Sequence, residues 1–374
     1  MDKVMLGARL AEARDLVGMT QDSVARAVGL DRTAIVLLEK GERNLKVPEL
    51  VEIARVLRRP LSFFVEPPVP AVVSRRSAPH TAHDSTKLLD AELEGFAVDA
   101  RGLAELGLLD TVARPVGARV PRTHREAEGA AQRFRQQLGN KRDPIPDLGR
   151  ACEVFGLHTF AAPLGDTGPD GGCVEVAAGA DVLGVVVVNG DADPGRRRMT
   201  LAHEFGHWMF GDAYDVEATL DAERMIDAFA IHFLAPRSGV NVVWTRHVAW
   251  PLRDRALAVG VAYRLSWSAV ISQLCNINLI SHDQRDELSR AEPRSGDFLR
   301  LGLDWAVELE PPYLSPGFVS ACLNGYVTAR LTQARTLELL RGILGPNDLP
   351  EVEPASLDSL RRSFAGHTSP SRDA

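Results

Sequence analysis

His203, Glu204 and His207 form a His-Glu-x-x-His run inside Thr200-Leu201-Ala202-His203-Glu204-Phe205-Gly206-His207-Trp208. On an α-helix, residues i and i+4 stand about 40° apart around the axis and one turn up, so both imidazoles point at one spot. Two ligands of a tetrahedral Zn²⁺ are presented in this way, and Glu204, about 100° round from His203, lies beside such a metal without binding it. A carboxylate there can take a proton from zinc-bound water and pass it to a leaving amine, the metal bringing that water's pKa towards about 7. Leu201, Ala202, Phe205 and Trp208 are apolar, which predicts a buried helix, and Gly206 is expected to leave room near the metal.

A hydrolytic zinc needs a third protein ligand and an open fourth position. Glu223, on a helix predicted over 222–233, is the expected ligand. Asp227 lies one turn further along the same face, where it can accept the second ring N–H of His203 or His207 and fix that ring's orientation. Asp212, Asp215, Glu217 and Asp221 are the rivals; they fall in a predicted loop, without an acidic partner four residues on within a helix. His232 sits nine residues past Glu223, half a turn round the helix and away from the metal. His158, His247 and His282 have no companion at ligand spacing and read as structural.

The elements that position these residues begin with a strand over 182–189, whose run Val185 to Val188 marks it as buried. Helices are expected over 86–109 (one or two), 125–138 and 145–155. The glycine-rich stretch 165–172 reads as a loop, lacking the lysine and following helix of a phosphate cradle. Beyond Pro236, helices are expected over 253–263, over 268–276 with Ser266 as a cap, and over 331–344, followed by a frayed tail. That last third is expected to pack rather than to carry chemistry.

The first 65 residues read as short helices joined by tight turns. Leu6, Leu10, Ala13 and Val17 recur at helical spacing before Gly18. Thr20 caps a helix from Gln21 to Val28, Gly29 supplies a left-handed turn, and Asp31 caps a second helix over 32–40. A further helix over 48–57 opens with Pro48, where a missing N–H costs little. Ala25 falls where the two central helices cross, and Val24, Val28, Leu30, Ile35 and Leu38 fall at buried positions. After Phe64 the chain turns rich in breakers, with Pro67, Pro68, Pro70 and Pro79, and 66–85 reads as a linker.

The net charge of −7 makes general attraction to nucleic acid unfavourable, so DNA binding has to come from a local motif. Cys152, Cys173, Cys275 and Cys322 are scattered without a Cys-x-x-Cys pair, which speaks against a disulfide scaffold and suits a reducing compartment. No signal-peptide pattern and no run of about 18 apolar residues is found. A cytoplasmic protein with no membrane partner is expected.

The stretch Gln21 to Gly41, ending Glu39-Lys40-Gly41, resembles the phage-repressor-like Xre family. That resemblance implies a helix after the turn entering the major groove, Gln21 anchoring phosphate, and Arg32 and Thr33 facing bases or backbone. Val36 and Leu37 stand where such domains usually carry polar residues; they could contact thymine methyls or a dimer or partner surface. The segment 198–207, together with Glu223 to Pro236, resembles the ImmA/IrrE metallopeptidases over roughly residues 130–236. Members hold zinc on two histidines and a downstream glutamate, matching His203, His207 and Glu223, and often carry Asn at the position of Asp227. Characterised relatives cleave helix-turn-helix repressors to derepress genes.

The expected fold is thus mainly α with a small sheet (α+β): an all-α helix-turn-helix bundle, 1–65, a linker, 66–85, a zincin-like metallopeptidase domain, 86–240, and a helical C-terminal region, 241–374. The expected activity is a zinc endopeptidase that binds DNA, forms a homodimer, and cleaves a repressor-like regulator. The alternatives are a transcriptional regulator whose zinc domain only senses or stiffens, and a component of a toxin–antitoxin or phage-defence locus.

Overall fold

The computed structural model describes residues 3–57, 59, 61–65, 73–76, 83–113, 119–211 and 220–352. It is an α+β structure. The N-terminal bundle consists of α1 (Lys3–Leu16), α2 (Gln21–Val28), α3 (Arg32–Glu39), α4 (Val47–Val56) and α5 (Leu61–Val65). Its starts and stops follow the local chemistry. Thr20 Oγ1 accepts from Ser23 N, and Gly29 closes α2 in the left-handed region at φ 69°. Asp31 stands at the start of α3 without a side-chain capping bond. Leu10, Val24, Ala25, Ile35, Ile53 and Phe64 form this bundle's own core.

Next come strand β1 (Val73–Arg76) and the long helix α6 (His83–Glu105), a single helix where the sequence allowed one or two. The breaker-rich stretch therefore contains a strand that its composition did not announce. The bundle is held against α6 by polar contacts: Arg9 Nη2 meets Glu94 Oε1 at 2.6 Å, and Arg59 Nη1 meets Glu92 Oε1 at 2.9 Å.

The middle of the chain supplies α7 (His124–Gln137), α8 (Leu148–Glu153), β2 (Leu157–Ala162), β3 (Gly171–Ala178), β4 (Asp181–Asn189), α9 (Pro194–Phe210) and α10 (Leu220–Leu234). The last third adds α11 (Arg237–Arg246), α12 (Leu252–Tyr263), α13 (Trp267–Asn276), α14 (His282–Ser289), α15 (Ser295–Leu301), β5 (Tyr313–Leu314), α16 (Pro316–Val327) and α17 (Gln333–Leu339). Ser266 Oγ does cap α13, accepting from Ala269 N at 3.4 Å. The last helix is shorter than its apolar pattern suggested, α17 stopping at Leu339. The tail from 353 lies outside the described residues.

The strands form one mixed sheet in the order β1-β3-β4-β2-β5; β4 is parallel to β2 and antiparallel to β3, and β1 and β5 are antiparallel to their neighbours. Helices cover both faces. Val186 and Val188 join one core with Leu201, Phe205, Phe229 and Phe233, while Val185 and Val187 join another with Phe96, Phe318 and Leu340. A strand buried on both faces loses the apolar–polar alternation of a half-exposed one, which is why β4 reads as a continuous valine run. The first of these cores also takes in Val259, Tyr263, Val270, Leu274 and Leu309, so the C-terminal helices complete the packing around α9 and α10.

Candidate metal centre

Helix α9 starts with Pro194 in its first turn and ends at Gly211, whose φ of 66° lets its N–H bond back to the His207 carbonyl. Nearly all of it is buried, including Arg197 and Arg198. Each guanidinium is answered from far along the chain. Arg197 Nη1 donates to the Leu309 carbonyl at 2.7 Å, and Arg198 pairs closely with Glu308, which also binds Arg264 at 2.9 Å. Glu308 is thus a positioning residue that sequence reasoning missed. The run Arg196-Arg197-Arg198 at the head of a helix expected to be buried was the available signal, since buried cations require partners.

Helix α10 packs across α9 at Gly206. A Cβ there would stand 3.0 Å from Ile226 Cγ2 and 3.0 Å from Phe229 Cδ1. The glycine therefore serves helix–helix approach, a correction to the expectation that it leaves room near a metal. The approach brings Glu223 over the two histidines. His203 Nε2 lies 2.9 Å from His207 Nε2 and 3.3 Å from Glu223 Oε2, and His207 Nε2 lies 3.7 Å from Glu223 Oε1. Donors each about 2.0–2.1 Å from a tetrahedral zinc stand about 3.3 Å apart, so this spacing fits that ion. His203, His207 and Glu223 are the one group of metal-ligand type among the described residues.

Two further observations fit a metal. Glu204 is fully buried, and neither of its carboxylate oxygens has a hydrogen-bond partner. Buried polar atoms are rarely left so, and the pair lies one residue from His203, where a water held in the open coordination position would answer it. Asp227 Oδ1 lies 2.9 Å from His203 Nδ1. With Nδ1–H donated to that carboxylate, the Nε2 lone pair is left facing His207 and Glu223. Burial opposes the charged form of His203, but its hydrogen bonds to Asp227 and Glu223 outweigh that and raise its pKa. Hydrogen bonds from His203 and then His207 hold Glu223 well below the usual carboxylate range.

Of the rival acids, Asp221 is exposed and lies 3.3 Å from Arg224; Asp212, Asp215 and Glu217 lie outside the described residues. His232 is buried away from the group, its Nδ1 accepting from Gln273 Nε2 at 3.1 Å. His158 faces Glu153, His247 packs on Trp250, and His282 lies beside Cys275. A cavity of about 1300 Å³ opens beside Asp227 and Met199, lined by Arg196, Trp267, Phe298 and Trp305 among others. Among the described residues, no helix is long and apolar enough to cross a membrane.

In the N-terminal bundle, Arg32 and Thr33 are exposed in the first turn of α3, and Val36 and Leu37 are half-buried on the same helix. Gln21 opens α2, its Nε2 donating to Glu39 Oε2 at 2.7 Å, and Glu39 also binds Arg14 at 2.6 Å. The side chain expected to anchor phosphate is thus engaged within the bundle, where it ties α2 to α3.

Comparison with known proteins finds two family matches. Residues 10–64 match the helix-turn-helix family model, and residues 152–267 match that of the IrrE N-terminal-like peptidase domain. The second match begins later than the resemblance read from the sequence and runs on through α11 and α12 to Trp267. The chain is 46% identical over 48 residues to an uncharacterized HTH-type transcriptional regulator of Archaeoglobus fulgidus, covering 13% of this chain and 69% of that protein. It is 32% identical to the restriction-modification controller protein C.AhdI from Aeromonas hydrophila over 17% of this chain and 96% of that one, with a TM-score of 0.17. The chain belongs to the helix-turn-helix transcriptional regulators, with a domain of the IrrE N-terminal-like peptidase family fused behind its DNA-binding bundle.

Proposed function

We propose that the chain is a zinc-dependent regulatory endopeptidase that binds DNA through its N-terminal bundle and cleaves a repressor-like transcription regulator in the cytoplasm. The observation that carries the reading is the convergence of His203, His207 and Glu223 beside a fully buried Glu204 whose two oxygens have no partner. His203, His207 and Glu223 would hold a zinc ion, which would supply Lewis-acid chemistry at the scissile carbonyl. Glu204 would take a proton from the attacking water and return it to the leaving amine. Asp227 holds the His203 ring through Nδ1, and Glu308 holds Arg198, one and a half turns upstream on the same helix. A cavity that reaches the site at Asp227 is wide enough for an extended polypeptide.

The choice of a helix-turn-helix repressor as substrate rests on the resemblance to repressor-cleaving relatives and on the chain's own bundle, which can pair with a like domain. Arg32, Thr33, Val36 and Leu37 form the face offered to DNA, and a homodimer would match a two-fold operator. The test uses zinc-loaded full chain and a candidate repressor. Glu204→Gln should lower the cleavage rate about 10²–10⁴-fold with zinc content unchanged. Cleavage by the variant at the wild-type rate refutes the mechanism. A promoter response untouched by the substitution, with no cleavage by either protein, favours the sensor alternative.

A further inference from the structure

The strand β1 lies between two stretches of the chain that have other work, the DNA-binding bundle and α6, yet it joins the sheet of the peptidase domain. It pairs antiparallel with β3 in the register Val73↔Val174, Ser74↔Cys173, Arg75↔Gly172 and Arg76↔Gly171. It is the outermost strand on that side, so without it the edge of β3 would be the edge of the sheet. The same stretch of β3 lies directly on the catalytic helix. Cys173 Sγ stands 3.7 Å from the Glu204 carbonyl, and a Cβ on Gly171 would come within 2.9 Å of Thr200 Cγ2. Helix α9 and β1 are themselves in contact. β1 is thus paired with the stretch of β3 that packs on the helical turn carrying Thr200 and Glu204.

A free strand edge is a row of unpaired N–H and C=O groups, and an extended peptide is the ligand that matches it. We propose that the outer edge of β3 is a docking edge for an extended peptide strand, and that the chain's own Val73–Arg76 occupies it in cis, so that β1 must leave before another strand can lie there. This deepens the peptidase reading and rests on it for the identity of the incoming strand as substrate. The occupant suits a displaceable role. It pairs over four residues only, and its sequence neighbours Pro70 and Pro79 lack the N–H that a longer ladder would need. Being tethered, it acts at an effective concentration of about millimolar, enough to exclude weak competitors while yielding to a tighter or better-placed strand.

The experiment reads binding rather than hydrolysis. In the full-length Glu204→Gln chain, β1 is broken by Ser74→Pro with Arg75→Pro. Neighbouring residues of a strand point their N–H groups to opposite sides, so this pair removes at least one ladder donor. A second variant replaces 73–76 with Gly-Ser-Gly-Ser, keeping the tether length. A fluorescent peptide with the sequence of residues 71–78 is titrated into each and followed by anisotropy. Both β1 variants should bind it at least tenfold more tightly than the parent, and amide exchange at 171–174 should rise in the variants and fall again with peptide. Equal binding by parent and variants, or no binding by either variant with circular dichroism unchanged, overturns the proposal. Because no cleavage is measured, a failure of the peptidase reading would appear only in the repressor assay and leave this result standing.

Discussion

Replacing Asp227 tests whether the outer carboxylate prepares His203 for a metal. Its Oδ1 lies 2.9 Å from Nδ1 of a side chain that is 3% exposed, while its own side chain is 45% exposed. Loss of such a partner typically weakens metal binding about 10- to 100-fold, and solvent screening at a half-exposed carboxylate places this case near the lower limit. Asp227→Ala should therefore weaken zinc binding about tenfold, which is about 1.4 kcal/mol. Asp227→Asn keeps an oxygen acceptor for Nδ1–H but loses the charge. A neutral hydrogen bond is about half as strong as a charge-assisted one, so the expected loss is about threefold. Competition against a chelator of known zinc affinity, on the full chain, gives both numbers. Binding by Asp227→Ala equal to wild type, or weaker binding by the Asn variant than by the Ala variant, would refute the argument.

Two other perturbations follow from packing and burial. Gly206→Ala forces a Cβ against the buried side chains of Ile226 and Phe229 at 3.0 Å, so those side chains or the helix that carries them must give by a few tenths of an ångström. Overpacking of this kind costs about 1–3 kcal/mol, and Tm of the metal-free chain should fall by several degrees, with weaker zinc binding alongside; an unchanged Tm would show that the helices yield freely. Burial depresses His232 to about 4 from its ordinary 6.5, against the opposing pull of Glu128. The unfolded chain therefore takes up a proton that the folded chain refuses. The stability from neutral His232 is complete above about pH 6.5 and is lost as pH falls towards 4, by about 3 kcal/mol. Urea midpoints at pH 7 and pH 4.5 should converge in His232→Gln relative to wild type; parallel losses in both would remove His232 as the cause.

The parts of this molecule that were legible in its sequence are those written in local chemistry. The i, i+4 imidazoles, Glu223 with Asp227 one turn on, the Thr20 cap and the Gly29 turn each depend on residues within a turn or two; the structure sets ligand-type atoms of His203, His207 and Glu223 within 4.8 Å of one another. What escaped was set by distant partners. β1 is a strand because β3 pairs with it, not because of its own composition. β3 opens with Gly171-Gly172, read as loop; Gly171 has no side chain because Thr200 and the Val187 carbonyl come too close for one. β2 is buried along its whole length, which erases alternation. Gly206 drew attention for its nearness to the histidines, when its real neighbours are on α10. Glu308 stands 110 residues from Arg198, and no spacing rule reaches that far.

Zinc binding between α9 and α10 underlies the proposed activity, and metal analysis of the purified chain measures it. Wild type should carry about one zinc per chain, and Glu223→Ala, which leaves two imidazoles where three protein ligands are needed, should carry far less under the same dialysis. A wild-type chain that emerges without metal and takes up none from added zinc, or a Glu223→Ala variant that keeps the full complement, would contradict it.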